Sequence, residues 1–305
     1  MKRIALAVTA VALVAAAMAA WSGAVPLATS GADAPSQAKP KAKLPPLPAN
    51  IKTRGRWNIG VKCDVPPFGY INVKGQNAGF DVEIARWFAR YAFGKASRVN
   101  FTCAPTPARE PLLTADRVDL VISTFTYTRD RDTRIDFSRA YYKAGGRLLV
   151  ANNGPVQKLS DINGRTIATT SGSVYDTWMK NCFKEAKPLV FDSFANAVLA
   201  FRGGRADAVM WDDTAVLGIA VADGTTKLTS DNFLAGPYGI GIKQGNVALK
   251  RWVDSRLNLM KKRDTFIQIL KNNVPPRLFA AFQDNVLRPK NNFGYAAVDP
   301  TTVCP

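Results

Sequence analysis

The residues best suited to chemistry lie in one stretch, Asp119–Ser138. Its short apolar run, Leu120–Ile122, reads as a buried strand. The run breaks into hydroxyls at Ser123, Thr124 and Thr126, then into a helix start at Thr128. Thr128 can cap that helix, and Asp130 and Asp132 sit where the dipole favours negative charge. Arg129 and Arg131 share the same first turn and gain nothing from the dipole. A strand that ends in hydroxyls and feeds a helix carrying arginines is suited to holding a carboxylate. The competing reading is a solvated helix start with ordinary surface ion pairs. Three more groups fall where strands end: Lys62, the glycine-containing turn Ser171–Val174, and Asp212. Backbone N–H groups in such a turn bind anions. Cations, hydroxyls, an anion-binding turn and a carboxylate together suit a zwitterion with extra negative charge.

These groups need strands that finish on one side of a sheet. Trp57–Lys62, Val99–Thr102, Gly146–Ala151, Arg165–Thr170, Pro188–Asp192, Asp207–Trp211 and Tyr238–Ile242 read as further strands. Between them, Phe80, Ile84, Trp87, Phe88 and Tyr91 mark one face of a helix, with Asp81 and Glu83 suited to its N-terminus. Helices are also predicted over Arg109–Ala115, from Val174 to Phe183, over Phe194–Arg202, after Asp213, over Asn246–Lys262 and over Asp264–Asn272. Alternating strands and helices imply an α/β fold with largely parallel sheets, whose ligand lies beyond the C-terminal strand ends. The tail from Pro289 shows no periodicity.

Composition narrows the chemistry. Histidine is absent, which removes Ser-His-Asp and Cys-His nucleophile pairs and the usual zinc-hydrolase sites. No metal-ligand set, paired general acids or Walker-type phosphate loop stands out, so no cofactor is expected. The formal charge is +18, but the basic residues are scattered and no nucleic-acid motif accompanies them, so nucleic acid is not an expected partner. Residues 1–24 place Lys2 and Arg3 before the apolar run Ile4–Trp21 and a few small residues. This reads as a secretory signal or, since the run is nearly long enough to span a bilayer, an uncleaved anchor. Residues 25–50, rich in Pro, Ala and Lys, read as a linker. The protein is therefore expected outside the cytoplasm, periplasmic or held at the outer face of the membrane, where disulfides persist. Cys63, Cys103, Cys182 and Cys304 allow three pairings. Cys63 and Cys103 end strand-like runs and would bridge if those strands are neighbours, leaving Cys182 with Cys304.

Four motifs, in order, carry a family resemblance. They are Val61-Lys-Cys-Asp-Val-Pro-Pro-Phe-Gly-Tyr, Gly79-Phe-Asp-Val-Glu-Ile-Ala, Asp119–Ser138 with Tyr141-Tyr142, and Gly204-Arg-Ala-Asp-Ala-Val-Met-Trp-Asp. Over residues 51–277 the chain resembles the extracytoplasmic amino-acid-binding proteins of ABC importers, the family 3 solute-binding proteins. The resemblance implies a type II, two-lobe periplasmic-binding-protein-like fold with the ligand in the cleft. Lobe 1 would be residues 51–140 plus 238–305 and lobe 2 residues 145–235, joined by hinge strands near Ala140–Gly145 and Ala235–Gly239. It further implies that Arg131 holds a ligand α-carboxylate, helped by the Thr126 hydroxyl and the N–H groups of Ser173 and Val174. Asp212, with the Thr124 hydroxyl, would take the α-amino group. Lys62 and Arg109 match positions that bind a second carboxylate in the glutamate- and aspartate-binding branch. Three pocket cations against Asp212 leave two positive charges in excess, which suits an acidic ligand. Val174 and Phe194 depart from the pattern, each standing where the family often has a hydroxyl.

The implied function is delivery of an acidic amino acid by a monomeric binding protein, not an enzyme, to an ABC-importer membrane permease. The alternatives are a cyclohexadienyl-dehydratase-like enzyme on the same scaffold, for which Asp213 or Asp64 would have to be the acid, and a ligand-sensing module.

Overall fold

A computed structural model describes residues 44–305; the expected signal or anchor and most of the expected linker lie outside the described residues. Helix α1 (Ala49–Arg54) leads into β1 (Trp57–Val61) and a small antiparallel meander, β2 (Asp64–Val65), β3 (Gly69–Ile71) and β4 (Asn77–Ala78). Then come α2 (Phe80–Phe93), β5 (Val99–Cys103), α3 (Arg109–Thr114), β6 (Leu120–Ile122), α4 (Arg129–Asp132) and β7 (Ile135–Phe137). A second sheet is built by β8 (Tyr142–Ala151), β9 (Thr166–Thr170), α5 (Val174–Cys182), β10 (Lys187–Phe191), α6 (Phe194–Arg202), β11 (Ala208–Asp212), α7 (Asp213–Ala222), β12 (Thr226–Leu228) and β13 (Phe233–Tyr238). The chain then returns to the first sheet with β14 (Gly241–Lys243), α8 (Val247–Lys262), α9 (Thr265–Asn273) and α10 (Pro276–Phe282).

Lobe 1 has the strand order β5-β1-β6-β14-β7, with β1 parallel to β5 and β6 and β14 antiparallel to its neighbours. Lobe 2 has the order β10-β9-β11-β8-β12, with β13 also paired to β8. This is the expected α/β, two-lobe, periplasmic-binding-protein-like architecture. Each lobe has its own core. In lobe 1 the α2 stripe Phe80, Ile84 and Phe88 is fully buried, in one cluster with Trp57 and Trp252. In lobe 2 Trp178, Met179, Met210 and Phe201 lie together. The long strand β8 begins in the first core at Tyr142 and reaches the second at Val150, so it connects the lobes together with its partner β13. Gly79 opens α2 at φ 117°, and a Cβ there would meet Phe68 O at 2.4 Å, so only glycine fits the approach.

Two expectations need correction. The single strand over Tyr238–Ile242 is two strands, because the chain leaves one sheet for the other at Gly239. The last turn, Pro300–Thr302, packs on α5 of lobe 2 instead of staying with lobe 1, because Cys304 is bonded to Cys182. The other bridge, Cys63–Cys103, follows from the parallel register of β1 and β5, which sets Val61 opposite Cys103. The basic excess is also unevenly shared. Lys and Arg outnumber Asp and Glu two to one in lobe 1 and equal them in lobe 2.

Because the Cys63–Cys103 bridge closes a loop of 40 residues, replacing both cysteines by serine should lower stability by about 2–4 kcal/mol. Urea unfolding measures this; an unchanged midpoint would mean the bridge does not constrain the unfolded chain.

Candidate functional site

Strand ends from both lobes meet at the seam between them. Lys62 follows β1, Ser123 and Thr124 follow β6, the Ser171–Ser173 turn follows β9, and Asp212 ends β11. Lys62, Arg109, Arg131 and Asp212 are each no more than 5 % exposed. They lie within electrostatic reach of one another: Arg109, Asp212 and Arg131 all act on Lys62, and Arg109 and Lys62 both act on Asp212.

The phenyl ring of Phe125 is the platform for two of the cations. The guanidinium carbon of Arg109 lies 4.4 Å from the ring centroid and that of Arg131 5.3 Å. Such contacts contribute on the order of 1–2 kcal/mol when desolvated. Arg109 spends three hydrogen bonds on backbone carbonyls. Its Nε donates to Thr106 O at 3.1 Å, and its Nη1 to Ser123 O at 3.3 Å and Thr124 O at 3.0 Å. It therefore braces the loop that follows β6. Lys62 Nζ donates to Thr106 Oγ1 at 2.6 Å and stands 5.8 Å from the Trp211 ring centroid. Burial, with Arg109 next, pushes the Lys62 ammonium down to about 7. Burial also lowers both arginines and raises Asp212, whose carboxylate accepts the Tyr175 hydroxyl at 2.6 Å.

Arg131 reaches across the seam. Its Nη1 donates to Thr126 O at 2.6 Å within lobe 1, and its Nη2 to Gly172 O at 2.7 Å in lobe 2. A guanidinium has five N–H donors, so both terminal nitrogens keep one for a carboxylate. Across the cleft, Ser173 Oγ caps α5 by accepting Asp176 N–H at 3.1 Å, and Ser173 N–H closes the turn onto Thr170 O at 3.2 Å. Of the two expected backbone donors, Val174 N–H is thus the one left as a first-turn donor without an intrahelical acceptor. The lobes touch elsewhere too: Asp64 of lobe 1 accepts Phe194 N–H of lobe 2 at 2.9 Å, and Val65 is buried in the lobe 2 core.

One residue central to the site was read from sequence only as a helix-start acid. Asp81 is fully buried, accepting Thr124 N–H at 2.8 Å and the Tyr141 hydroxyl at 2.9 Å. Burial raises its carboxyl to about 7. Thr124 itself sits at φ 41°, a left-handed conformation that is unusual for a β-branched residue and costs on the order of 1–3 kcal/mol. Asp81 holds its N–H, Arg109 holds its carbonyl, and its buried hydroxyl has no partner among the described residues. The strained residue is thus fixed from both ends, with its hydroxyl left over.

More acids surround the three cations than Asp212 alone. Glu110, instead of pairing with Arg109, bonds Arg134 at 2.7 Å and lies 3.6 Å from Arg131, and Asp81 lies beneath the loop. The positive excess is local: the hydrogen bonds of Lys62 and Arg109 go to a hydroxyl and to carbonyls, not to a carboxylate. The two acids named for an enzymatic reading, Asp64 and Asp213, differ in their surroundings. Asp64 caps α6. Asp213 is raised to about 7 by burial and then by Asp212, and its buried Oδ1 has no hydrogen-bond partner among the described residues.

Replacing Asp81 by alanine leaves the Thr124 N–H and the Tyr141 hydroxyl unsatisfied, so stability should fall by at least about 2 kcal/mol. Ligand affinity should fall with it, and Asp81→Asn should lose less of both. Urea unfolding and calorimetry on the two variants check this; full affinity in Asp81→Ala would show that Thr124 needs no such support.

Known proteins similar to this chain identify its family. Residues 57–275 match the description "Bacterial extracellular solute-binding proteins, family 3". The ABC transporter glutamine-binding protein GlnH of Bacillus subtilis (strain 168) is 30% identical over 225 residues, which is 73% of this chain and 82% of the relative. A glutamine-binding protein of Geobacillus stearothermophilus is 32% identical over 193 residues, 63% of this chain and 74% of that one. A crystal structure of a solute receptor for L-cysteine from Neisseria gonorrhoeae superposes with a TM-score of 0.73 at 28% identity, over 75% of this chain and 94% of the receptor. The chain belongs to the bacterial extracellular solute-binding proteins of family 3.

Proposed function

We propose that this protein is the extracytoplasmic substrate-binding protein of an ABC importer and that it holds an acidic amino acid, glutamate or aspartate, between its lobes. The observation that carries the acidic reading is the pair of buried cations, Lys62 and Arg109, bonded only to neutral groups. A side-chain carboxylate would give both a charged partner. Leaving a buried charge unpaired costs about 3–5 kcal/mol, enough to separate an acid from its amide. In this reading the α-carboxylate meets the remaining Arg131 donors, Val174 N–H and the Thr126 hydroxyl. The ammonium meets Asp212 and the unpartnered Thr124 hydroxyl. Arg131 and Asp212 stand on different lobes, so a ligand touching both favours the closed form by population shift. A monomer with no cofactor suffices, and an importer permease receives the ligand.

Glutamine is the second reading. The two relatives named above are glutamine-binding proteins, and Lys62, held near 7, can shed its charge beside an amide.

Calorimetry with purified protein separates the two. Arg131→Ala should abolish binding of any amino acid, and Lys62→Met should weaken glutamate by more than tenfold while changing glutamine less. Equal losses for both ligands would remove the acidic assignment. The pH dependence has a definite sign. An acidic side chain raises the Lys62 pKa from about 7, so glutamate affinity is full below pH 7 and falls as pH rises above it. Titrations from pH 6 to 9 should show that fall, together with proton uptake above pH 7, and Lys62→Met should flatten it.

A further inference from the structure

The C-terminal segment crosses the cleft. It leaves α10 along the start of β8, where Lys143 N–H donates to Asn285 O at 2.8 Å and Leu287 N–H to Tyr141 O at 3.0 Å. It then lies on the lobe 1 segment that carries Arg131. The Tyr295 ring stacks on Tyr127 at 3.9 Å with 11° between planes, and its hydroxyl donates to Ser138 O. Arg129 donates to Ala297 O, and Asp130 N–H reaches the Asp299 carboxylate at 3.4 Å. Within a few residues the same segment is fixed to α5 of lobe 2. Asn181 donates to Thr301 O at 2.9 Å, Trp178 Nε1 to Val303 O at 2.8 Å, and Cys304 is bonded to Cys182.

We propose that residues 295–304 are a positioning strap for ligand binding, holding α4 and α5 together across the cleft. Helix α4 carries Arg131, and the N-terminus of α5 carries Ser173 and Val174, so the strap joins the two halves of the carboxylate cradle. This rests on the reading that the ligand lies between those helices. From Ala297, held on lobe 1, to Thr301, held on lobe 2, an extended chain of four residues spans no more than about 14 Å. The lobes cannot part further on this side unless one set of anchors lets go. The lobe 2 anchors include a covalent bond and the lobe 1 anchors do not, so opening peels Tyr295, Ala297 and Asp299 from lobe 1. The strap therefore restrains opening and slows ligand release.

The test pairs two variants, Cys182→Ser/Cys304→Ser and Tyr295→Ala. The second keeps the disulfide and so covers the case in which the first folds poorly. Small-angle X-ray scattering without added amino acid should give a larger radius of gyration for either variant than for the natural protein. Stopped-flow release of a bound amino acid, glutamate or glutamine, should be about tenfold faster, with a smaller change in association. Unchanged scattering and unchanged release in a folded variant would overturn the strap and leave the disulfide as a stability bridge alone. The scattering comparison needs no ligand, so it decides this question even if neither amino acid binds.

Discussion

Everything in this structure answers to three cations buried at one seam. Lys62, Arg109 and Arg131 are desolvated and repel one another, an arrangement that stands only if the surroundings supply compensating dipoles and charges. Phe125 offers its ring to two of them, Thr106 a hydroxyl and a carbonyl, and the loop after β6 three more carbonyls. That loop can present its carbonyls only because Thr124 is bent into the left-handed region, and Asp81 pins the bend from below. Helix α2 is fixed in turn, since its second residue is that aspartate and the glycine before it admits no side chain.

The second lobe completes what the first leaves open. Gly172 O takes a proton donor of Arg131, Asp212 brings a carboxylate within reach of Lys62 and Arg109, and Asp64 caps a helix on the far side. Each contact joins a residue on one lobe to a residue on the other, so in the proposed function closure and recognition are coupled. Strands β8 and β13 run between the lobes, and the C-terminal segment is fastened to both, the basis of its proposed role as a strap.

Much of the fold was legible in the sequence because it is written in local periodicity. The α2 stripe, many apolar strand runs and the helix Phe194–Arg202 follow from spacing alone, and Lys62, Thr124, Ser173 and Asp212 stand at strand ends, whereas Arg109 is singled out only by the family resemblance. What spacing could not show was long-range. Asp81 looks like any acid in a first helical turn, and its partners Thr124 and Tyr141 are 43 and 60 positions away. Glu110 follows Arg109 in sequence yet serves Arg134 and Arg131. The tail after Pro289 has no period because its contacts are with other elements: one tyrosine stack, a few backbone bonds and a disulfide. The one signal available was the Gly79-Phe-Asp motif itself, a tightly packed glycine beside an acid.

The most direct test is a crystal structure of the protein with glutamate bound. The α-carboxylate should lie on Arg131 and Val174 N–H, the ammonium on Asp212, and the side-chain carboxylate on Lys62 and Arg109. A ligand bound in the reverse sense, or one whose side chain leaves Lys62 and Arg109 with their present neutral partners, would contradict that placement.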